Sequence, residues 1–309
     1  MGKYLAKRFF YMFLTLFIIA SLTFFLMKII PGTPFASAAK LPPAQLEIMK
    51  SKYGLDQPVP VQYAKYIGNL LQGDLGVSFQ FNNTPVTELM FKRLGPSAQL
   101  GAQAMVVGTF IGLLLGIFAA LRQNTWVDYG STFIAVAGKS IPNFVFAGLL
   151  QYFVGVKLGW FPVLFWRGFE YTILPTIALS MFPIAIAARF MRTEMIEVLS
   201  SDYILLAKAK GASFFEIAFK HALRNAMIPL VTVLGPLAIS LMTGSLVIER
   251  IFAIPGLGEQ FVKSITVNDY PVIMGTTILF AALFVAIILV VDILYGIIDP
   301  RIRLSGGKK

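Results

Sequence analysis

The chain has 309 residues, of which 57% are hydrophobic and 13% are charged, and its mean hydropathy is +0.76. These values exclude an ordinary soluble domain, which must cover its surface with polar groups, and they exclude a disordered chain. The absence of cysteine and the single histidine, His221, exclude disulfides, thiol catalysis and clustered Cys or His metal sites, so we expect no bound metal. In a membrane protein the net charge of +11 indicates basic cytoplasmic loops rather than a nucleic-acid partner.

Six long apolar stretches predict six transmembrane α-helices. Each has about 20 residues or more, which is enough to cross a bilayer. Only helices and closed barrels satisfy the backbone in hydrocarbon, and continuous rather than alternating apolar runs favour helices. The predicted fold class is therefore an all-α, polytopic membrane protein. The predicted spans are about 9–30, 97–121, 131–155, 172–191, 227–248 and 272–298.

The first stretch, within residues 1–30, has two interpretations. Basic residues precede the apolar run and Ala36-Ser37-Ala38 resembles a cleavage site, as in a secretory signal peptide. Against this, the 19 residues from Phe9 to Met27 carry no charge, whereas a signal core usually has about 7–15 residues. We predict a retained transmembrane helix.

The loop over 31–96 is predicted to be ordered and extracytoplasmic. Gly and Pro residues divide it into helix-like runs at 44–53 and 60–72. The sequence leaves open whether this loop is a structural cap or a docking surface for a partner outside the membrane.

Basic residues predict the orientation of the spans. The N-terminus, the second-to-third connection, the fourth-to-fifth connection with its flanks, and the C-terminus together carry 14 Lys and Arg residues. The two short loops on the other side carry four. Both termini are therefore predicted to be cytoplasmic.

The third stretch contains an unusual charge, Lys139, followed closely by Pro142 and Asn143. A charge inside a span costs about 2.5–3.5 kcal/mol on insertion scales and usually faces the bundle interior or water, and a proline kinks a helix. We predict that Lys139 and Asn143 line a translocation path, with Gln103 and Thr243 adding polarity. For Lys139 the alternatives are that its side chain extends to the membrane surface or that the helix ends before it. For the neutral side chains the alternative is that they form hydrogen bonds between helices and do not line a path.

The sequence lacks the patterns expected of an enzyme. It contains no GxxxxGK[ST], HExxH or GxSxG motif, so the chain has no nucleotide site of the first kind. Asp292 is the one Asp well inside a span, and we expect it to pair with Arg301, Arg303 or a neighbouring subunit. A proton relay or an aspartyl protease would need a partner carboxylate, which the spans do not offer.

The connection over 192–226 predicts a docking site on the cytoplasmic face. Gly211 separates two short amphipathic helical runs and suits a position with φ above zero. Ser213 and Glu216 have the spacing of a capping box at the start of the second run. The apolar residues from Phe214 to Phe219 exceed what a free loop would expose, which is typical of a surface that binds a partner.

This connection reads DYxxxAxAKGAS from Asp202 and HALRNAxIPL from His221. It resembles the coupling loop of binding-protein-dependent ABC transporter permeases, and within them the B-type subunit of the dipeptide/oligopeptide family. Shorter matches occur along the whole chain, at Pro31-Gly32, Gly54-Leu55-Asp56-Gln57-Pro58, Gly73-Asp74-Leu75-Gly76-Val77-Ser78, Gly244-Ser245 with Glu249, Phe252-Ala253-Ile254-Pro255-Gly256-Leu257-Gly258, Asp269-Tyr270-Pro271 and Asp299-Pro300-Arg301.

The loop departs from the general permease pattern, EAAxxxG followed by IxLP. Leu205, His221 and Arg224 stand at the Glu, Ile and Pro positions, as in the peptide-type subset. Asn268 stands where that subset usually has a basic residue before Asp269, which weakens the expectation of an ion pair there.

The resemblance implies a type I ABC importer permease, with a permease core over 97–298 and a cytoplasmic tail over 299–309, in a bacterial plasma membrane. It implies a second, similar permease subunit, two cytoplasmic ATPase subunits that bind ATP and Mg, an extracytoplasmic solute-binding protein and a peptide substrate. The chain itself would bind no cofactor and would move the substrate inward by alternating access. The residues that it places in the ATPase-coupling loop are Asp202, Tyr203, Ala207, Lys208, Ala209, Lys210, Gly211, Phe215, His221, Leu223, Arg224, Asn225 and Pro229.

Other functions remain open at this point. Nickel or nickel-chelate import is the second substrate hypothesis because that branch shares these motifs, and glutathione or another small solute is a third. A secondary transporter or channel should show inverted repeats or paired intramembrane carboxylates, and neither is visible. An intramembrane enzyme would need a nucleophile and base pair, which the sequence does not show.

Overall fold

The computed structural model describes residues 2–30 and 43–298. Within these residues the chain is built from α-helices and two π-helical segments, Gln151–Lys157 and Glu216–Ala222. The α-helices are α1 (Gly2–Ile29), α2 (Pro43–Lys52), α3 (Val59–Leu71), α4 (Val86–Leu121), α5 (Trp126–Ser140), α6 (Asn143–Leu150), α7 (Glu170–Leu199), α8 (Asp202–Ala209), α9 (Leu223–Met242), α10 (Leu246–Ile251), α11 (Leu257–Thr266) and α12 (Tyr270–Ile298).

The fold class predicted from the sequence is confirmed. Within the described residues, five helical segments are long and apolar enough to cross a membrane, and a sixth span results if the bent pair Trp126–Ser140 and Asn143–Lys157 crosses as one. The helix-like runs predicted at 44–53 and 60–72 correspond to α2 and α3. The predicted tail, 299–309, lies outside the described residues.

Three spans, α1, α4 and α7, are longer than the apolar runs indicated, and α1 begins at Gly2 rather than near 9. α4 begins at Val86 rather than near 97, because the helix continues through Pro96 and through a charged first part that the hydropathy pattern read as loop. α7 continues to Leu199, beyond the predicted end at 191. Its last turns contain charged residues, which the hydropathy pattern excluded from the span, but the backbone there is still helical.

Two predicted spans are interrupted. The third bends by 103° between α5 and α6, where Ile141 is extended (φ −81°, ψ 121°) because the following residue, Pro142, disfavours the helical conformation. The fifth, predicted over 227–248, begins at Leu223 and breaks before α10, at Gly244 with φ +114°.

The chain divides into two compact units, and the first comprises the described parts of 1–95 and 256–309. Its core joins the start of α4 to α11 and α12 through Val86, Met90, Leu257 and Val272. α1 packs against α3 and α12, and the hydroxyls of Ser21 and Tyr63 lie 2.7 Å apart.

The second unit comprises residues 96–255. A stripe of glycines, Gly108, Gly112 and Gly116, lies on the face of α4 that touches α7. A Cβ atom added to each would meet α7 atoms at 2.5, 2.7 and 2.6 Å respectively, which is closer than real contacts. The two helices therefore approach at a distance that only glycine permits, as small residues allow in membrane helix pairs.

Candidate functional site

The segment from Ser200 to Ala222, between α7 and α9, forms a helical hairpin that we call the coupling segment. α8 ends at Ala209, and Gly211 follows with φ +83°, as the sequence predicted. A Cβ atom at Gly211 would meet nothing within 4 Å, so only the backbone conformation requires glycine there. Its N–H donates to the carbonyl of Lys208 at 2.9 Å and closes the turn.

The second arm of the hairpin begins with the predicted capping box. The N–H of Ser213 donates to Oε2 of Glu216 at 3.1 Å, and the N–H of Glu216 donates to Oγ of Ser213 at 3.3 Å. The backbone hydrogen bond from Ser213 is the main reason that the pKa of the Glu216 carboxyl lies below its usual value. The box therefore favours a charged Glu216 at neutral pH.

The coupling segment has one buried side and one exposed apolar side. Ile204, Ile217 and Ala222 are buried against the hairpin and the adjoining helices. On the other side, Phe214, Phe215 and Phe219 are exposed, and we call these three rings the aromatic patch. Phe215 is 71% exposed and its ring stacks on that of Phe219 with an interplanar angle of 10°. The hairpin thus presents a preformed apolar surface on an anchored base.

The other predicted coupling residues lie on this hairpin or at the start of α9. Asn225 joins its two arms, since its amide nitrogen donates to the hydroxyl of Tyr203 and to the carbonyl of His221, both at 3.0 Å. Among the rest, Asp202, Lys208, Ala209, Lys210 and Arg224 are exposed, and Ala207, Leu223 and Pro229 are half-buried.

The structure corrects the predicted end of the hairpin. The second arm was expected to be a separate short helix, with the fifth span starting at 227. Instead the π-helical segment Glu216–Ala222 runs directly into α9 at Leu223. No Gly or Pro interrupts 214–228, so nothing in the local sequence forces the backbone out of a helical conformation. A displacement of the hairpin would therefore act directly on a membrane helix.

The four residues predicted to line a path occupy three places in the second unit. Gln103 accepts a hydrogen bond from Thr176 of α7 at 3.1 Å, which ties α4 to α7. Thr243 follows α9 and donates to the carbonyl of Ile239 at 2.9 Å. Lys139 is exposed in the last turn of α5, and half-buried Asn143 begins α6. Gln103 thus links two helices, and Thr243 bonds to the end of α9. Lys139 and Asn143 lie on either side of the 103° bend.

Two buried acidic residues were not predicted as site residues, although both lie in motifs that carry the family resemblance. Glu249 of α10 is fully buried, and Ser97 of α4 donates to its Oε1 at 2.6 Å. Asp269 is also buried; Ser78 donates to its Oδ2, and the N–H of Phe79 donates to its Oδ1 at 3.2 Å. Burial raises the pKa of the Asp269 carboxyl, and these donors partly oppose the rise. The motifs that contain Ser78 and Asp269 thus meet in space although 191 positions separate the two residues.

A third acidic residue forms an ion pair that the sequence did not reveal. Arg192 of α7 donates to Asp128 of α5 through two bonds, Nε to Oδ1 at 2.5 Å and Nη2 to Oδ2 at 2.8 Å. Within the described residues, no three Asp, Glu, His or Cys side chains lie close enough to hold a metal ion. The ion pair of Arg192 with Asp128 thus joins α7 to α5.

Comparison with known proteins identifies the family. The sequence matches the family described as "Binding-protein-dependent transport system inner membrane component" over residues 112–304, and its N-terminal part, "Binding-prot-dependent transport system membrane comp, N-term", over residues 1–101. The chain belongs to this family. It is therefore a multi-pass membrane protein and a permease subunit of an ABC importer, in a family of transport subunits, and the resemblance inferred from its motifs is confirmed.

Relatives match over nearly the whole chain. The "Dipeptide transport system permease protein DppB" of Lactococcus lactis subsp. cremoris is 51% identical, covering 98% of this chain and 100% of that protein. The "Oligopeptide transport system permease protein OppB" of Salmonella typhimurium is 40% identical, covering 98% and 100%. A solved structure of the MetNI methionine ABC transporter is similar in fold, with a TM-score of 0.55 at 19% identity, covering 69% of this chain and 97% of that one.

Proposed function

We propose that this chain is the permease subunit through which dipeptides or oligopeptides are translocated into the cytoplasm by an ATP-driven importer. The observation that carries the proposal is identity of 39–51% over 98% of the chain to permeases named for dipeptide and oligopeptide transport. Identity over this length includes both the membrane helices and the coupling segment.

The proposed complex supplies what this chain lacks. A second, similar permease subunit completes the pathway, two cytoplasmic ATPase subunits bind ATP and Mg, and an extracytoplasmic solute-binding protein delivers the peptide. The chain itself binds no cofactor. Both termini and the coupling segment face the cytoplasm, the 31–96 loop faces the binding protein, and Lys139 with Asn143 contacts the peptide on its path.

The aromatic patch is the proposed contact with an ATPase subunit. Large exposed aromatic side chains on a rigid base are typical of protein interfaces, since they bury much area at little entropic cost. Closure of the ATPases would push the hairpin, and its unbroken connection to α9 would pass the displacement to the membrane helices. This is a rigid-body movement of the kind that alternating access requires.

Variants of Gly211 test the coupling role. The left-handed conformation costs a residue with a Cβ atom about 1–2 kcal/mol, while Asn tolerates it better than other residues. We expect Gly211→Val to assemble in the membrane but to lose most peptide uptake, and Gly211→Asn to retain most of it. Equal, near-normal uptake in both variants would refute the coupling role of the turn.

A second pair of variants tests the patch. Phe215→Ala should release the ATPase subunits during purification of the complex. Leu71→Ala, which changes an 84% exposed apolar residue of the outer loop, should not. Retention of the ATPases by Phe215→Ala to the same extent as by the control would contradict the proposed contact.

The substrate is tested by growth and uptake. A strain whose only peptide permease is this complex should use dipeptides or tripeptides that contain a required amino acid. The same strain should take up labelled nickel no faster than a strain without the chain. Nickel uptake that depends on this chain, without peptide uptake, would overturn the peptide assignment and leave the importer assignment standing.

A further inference from the structure

A cavity of about 240 Å³ lies in the second unit between the end of α4, the first three turns of α5 and residues 188–193 of α7. Its walls carry two arginines, Arg189 and Arg192, and a set of hydroxyl groups that includes those of Tyr129, Thr132 and Thr193. The volume far exceeds the ~30 Å³ that one water molecule occupies in the liquid. The cavity is therefore large enough for a polar group of several atoms.

The charges around the cavity leave it positive. The carboxylate of Asp128 is 2% exposed and accepts bonds from Arg192, from the N–H of Asn124 at 3.0 Å and from Thr132 at 3.4 Å, so its acceptors are occupied. A guanidinium has five N–H donors, and Asp128 takes two from Arg192, whose side chain remains 31% exposed. Arg189 has no acidic partner among the described residues. An anion in the cavity would meet both guanidinium groups.

The surroundings of the cavity are those of a membrane surface. α4, α5 and α7 all belong to segments apolar enough to cross the bilayer, and the cavity lies where α4 and α7 approach their ends. At the start of α5, Trp126 is 90% exposed and Tyr129 is 60% exposed. Exposed Trp and Tyr are enriched at the level of the lipid headgroups. An unpaired arginine at this level is costly in hydrocarbon but is stabilised by a phosphate.

We infer that this cavity is a binding site for the phosphate group of an anionic membrane phospholipid. Arg189 and the free donors of Arg192 hold the phosphate, the hydroxyl group of Tyr129 donates to one of its remaining oxygens, and the acyl chains extend along the exposed apolar sides of α5. Asp128 positions Arg192 and is not itself a ligand. A soluble phosphate ion has the same headgroup chemistry, but it gains nothing from the apolar surface beside the cavity. The site does not depend on which solute the transporter carries.

Native mass spectrometry of the whole complex tests the inference. The complex is purified from nanodiscs that contain phosphatidylglycerol in phosphatidylcholine, and the phosphatidylglycerol that survives detergent washing is counted. We expect wild type to keep one more phosphatidylglycerol than Arg189→Gln, with affinity reduced roughly tenfold or more by loss of a charge-assisted bond. Arg189→Lys, which keeps the charge but not the fork of donors, should be intermediate.

The matched control is Arg122→Gln, which removes the same charge from an exposed position after α4 that does not line the cavity. It should retain the lipid, and all variants should assemble with their partners because both arginines are exposed. Equal retention by Arg189→Gln and wild type would overturn the inference. So would absence of the lipid from wild type, which would indicate that a partner subunit covers the cavity. Displacement of the lipid by millimolar inorganic phosphate would reassign the site to the soluble ion.

Discussion

Replacement of Gly112 by alanine tests the close contact between α4 and α7. The new Cβ would lie 2.7 Å from the Cβ of Ala187 and 2.7 Å from the carbonyl oxygen of Ile184. Carbon atoms in contact prefer about 3.5–4.0 Å, so the helices must separate by roughly 1 Å or bend. The second contact is a backbone atom, which cannot move aside as a side chain can.

The size of the effect follows from a comparison with Gly130→Ala. A Cβ atom at Gly130, inside α5, would meet nothing within 4 Å. Both changes gain the same helix propensity, up to about 1 kcal/mol, so their difference isolates the packing cost. Inserting a methyl group into a filled contact costs about 1–3 kcal/mol. We therefore expect Gly112→Ala to be less stable than Gly130→Ala by about that amount.

The assay is reversible unfolding of the purified permease in mixed micelles, with the free energy of unfolding obtained from titration with a denaturing detergent. Circular dichroism and tryptophan fluorescence should report the same transition if a two-state treatment is to hold. Equal stability of the two variants, within about 0.3 kcal/mol, would refute the close packing of α4 on α7. Greater stability of Gly112→Ala would refute it more strongly.

Three further outcomes follow from the buried and capping acids. Asp128→Asn should lower the free energy of unfolding by about 2–3 kcal/mol, since it leaves Arg192 without its charged partner, and the same unfolding titration measures the loss. Asp269→Asn should cost about 1–3 kcal/mol, because an amide NH₂ faces a group that itself donates; an unchanged transition would contradict the described bonds. The pKa of Glu216 is lower in the folded chain than its unfolded value of 4.5. The stability that the charged carboxylate gives to the capping box is therefore fully present above pH 4.5 and is lost as the pH falls through the folded pKa. The protection factor of the amides around Ser213, which is the intrinsic exchange rate at a given pH divided by the measured rate, should therefore fall on acidification in wild type, and Glu216→Gln should remove that fall.

The existence of the spans could be predicted from the sequence, because a 20-residue apolar run has few alternatives in a membrane. The ends could not, since a helix continues into charged sequence whenever its backbone bonds remain satisfied. The start of α4 at Val86 and the end of α7 at Leu199 illustrate this. The break at Pro142 was visible as a kink, but its angle of 103° depends on the packing of α6.

The coupling segment was predictable because its contacts are local. The turn at Gly211 and the capping box at Ser213 both depend on residues within a few positions of each other. The ion pair of Asp128 with Arg192 spans 64 residues, and the bond from Ser78 to Asp269 spans 191. Neither pairing follows from a periodic pattern, since only the fold brings the partners together.

The most direct test of the account is peptide uptake by proteoliposomes that contain the complete purified complex. A labelled dipeptide or oligopeptide, presented with the solute-binding protein, should accumulate only when ATP is on the ATPase side and both ATPase subunits are present. Vesicles with this chain and its partner permease alone should show no accumulation. Peptide accumulation by the permeases without ATPases, or none by the complete complex with any peptide, would contradict the account.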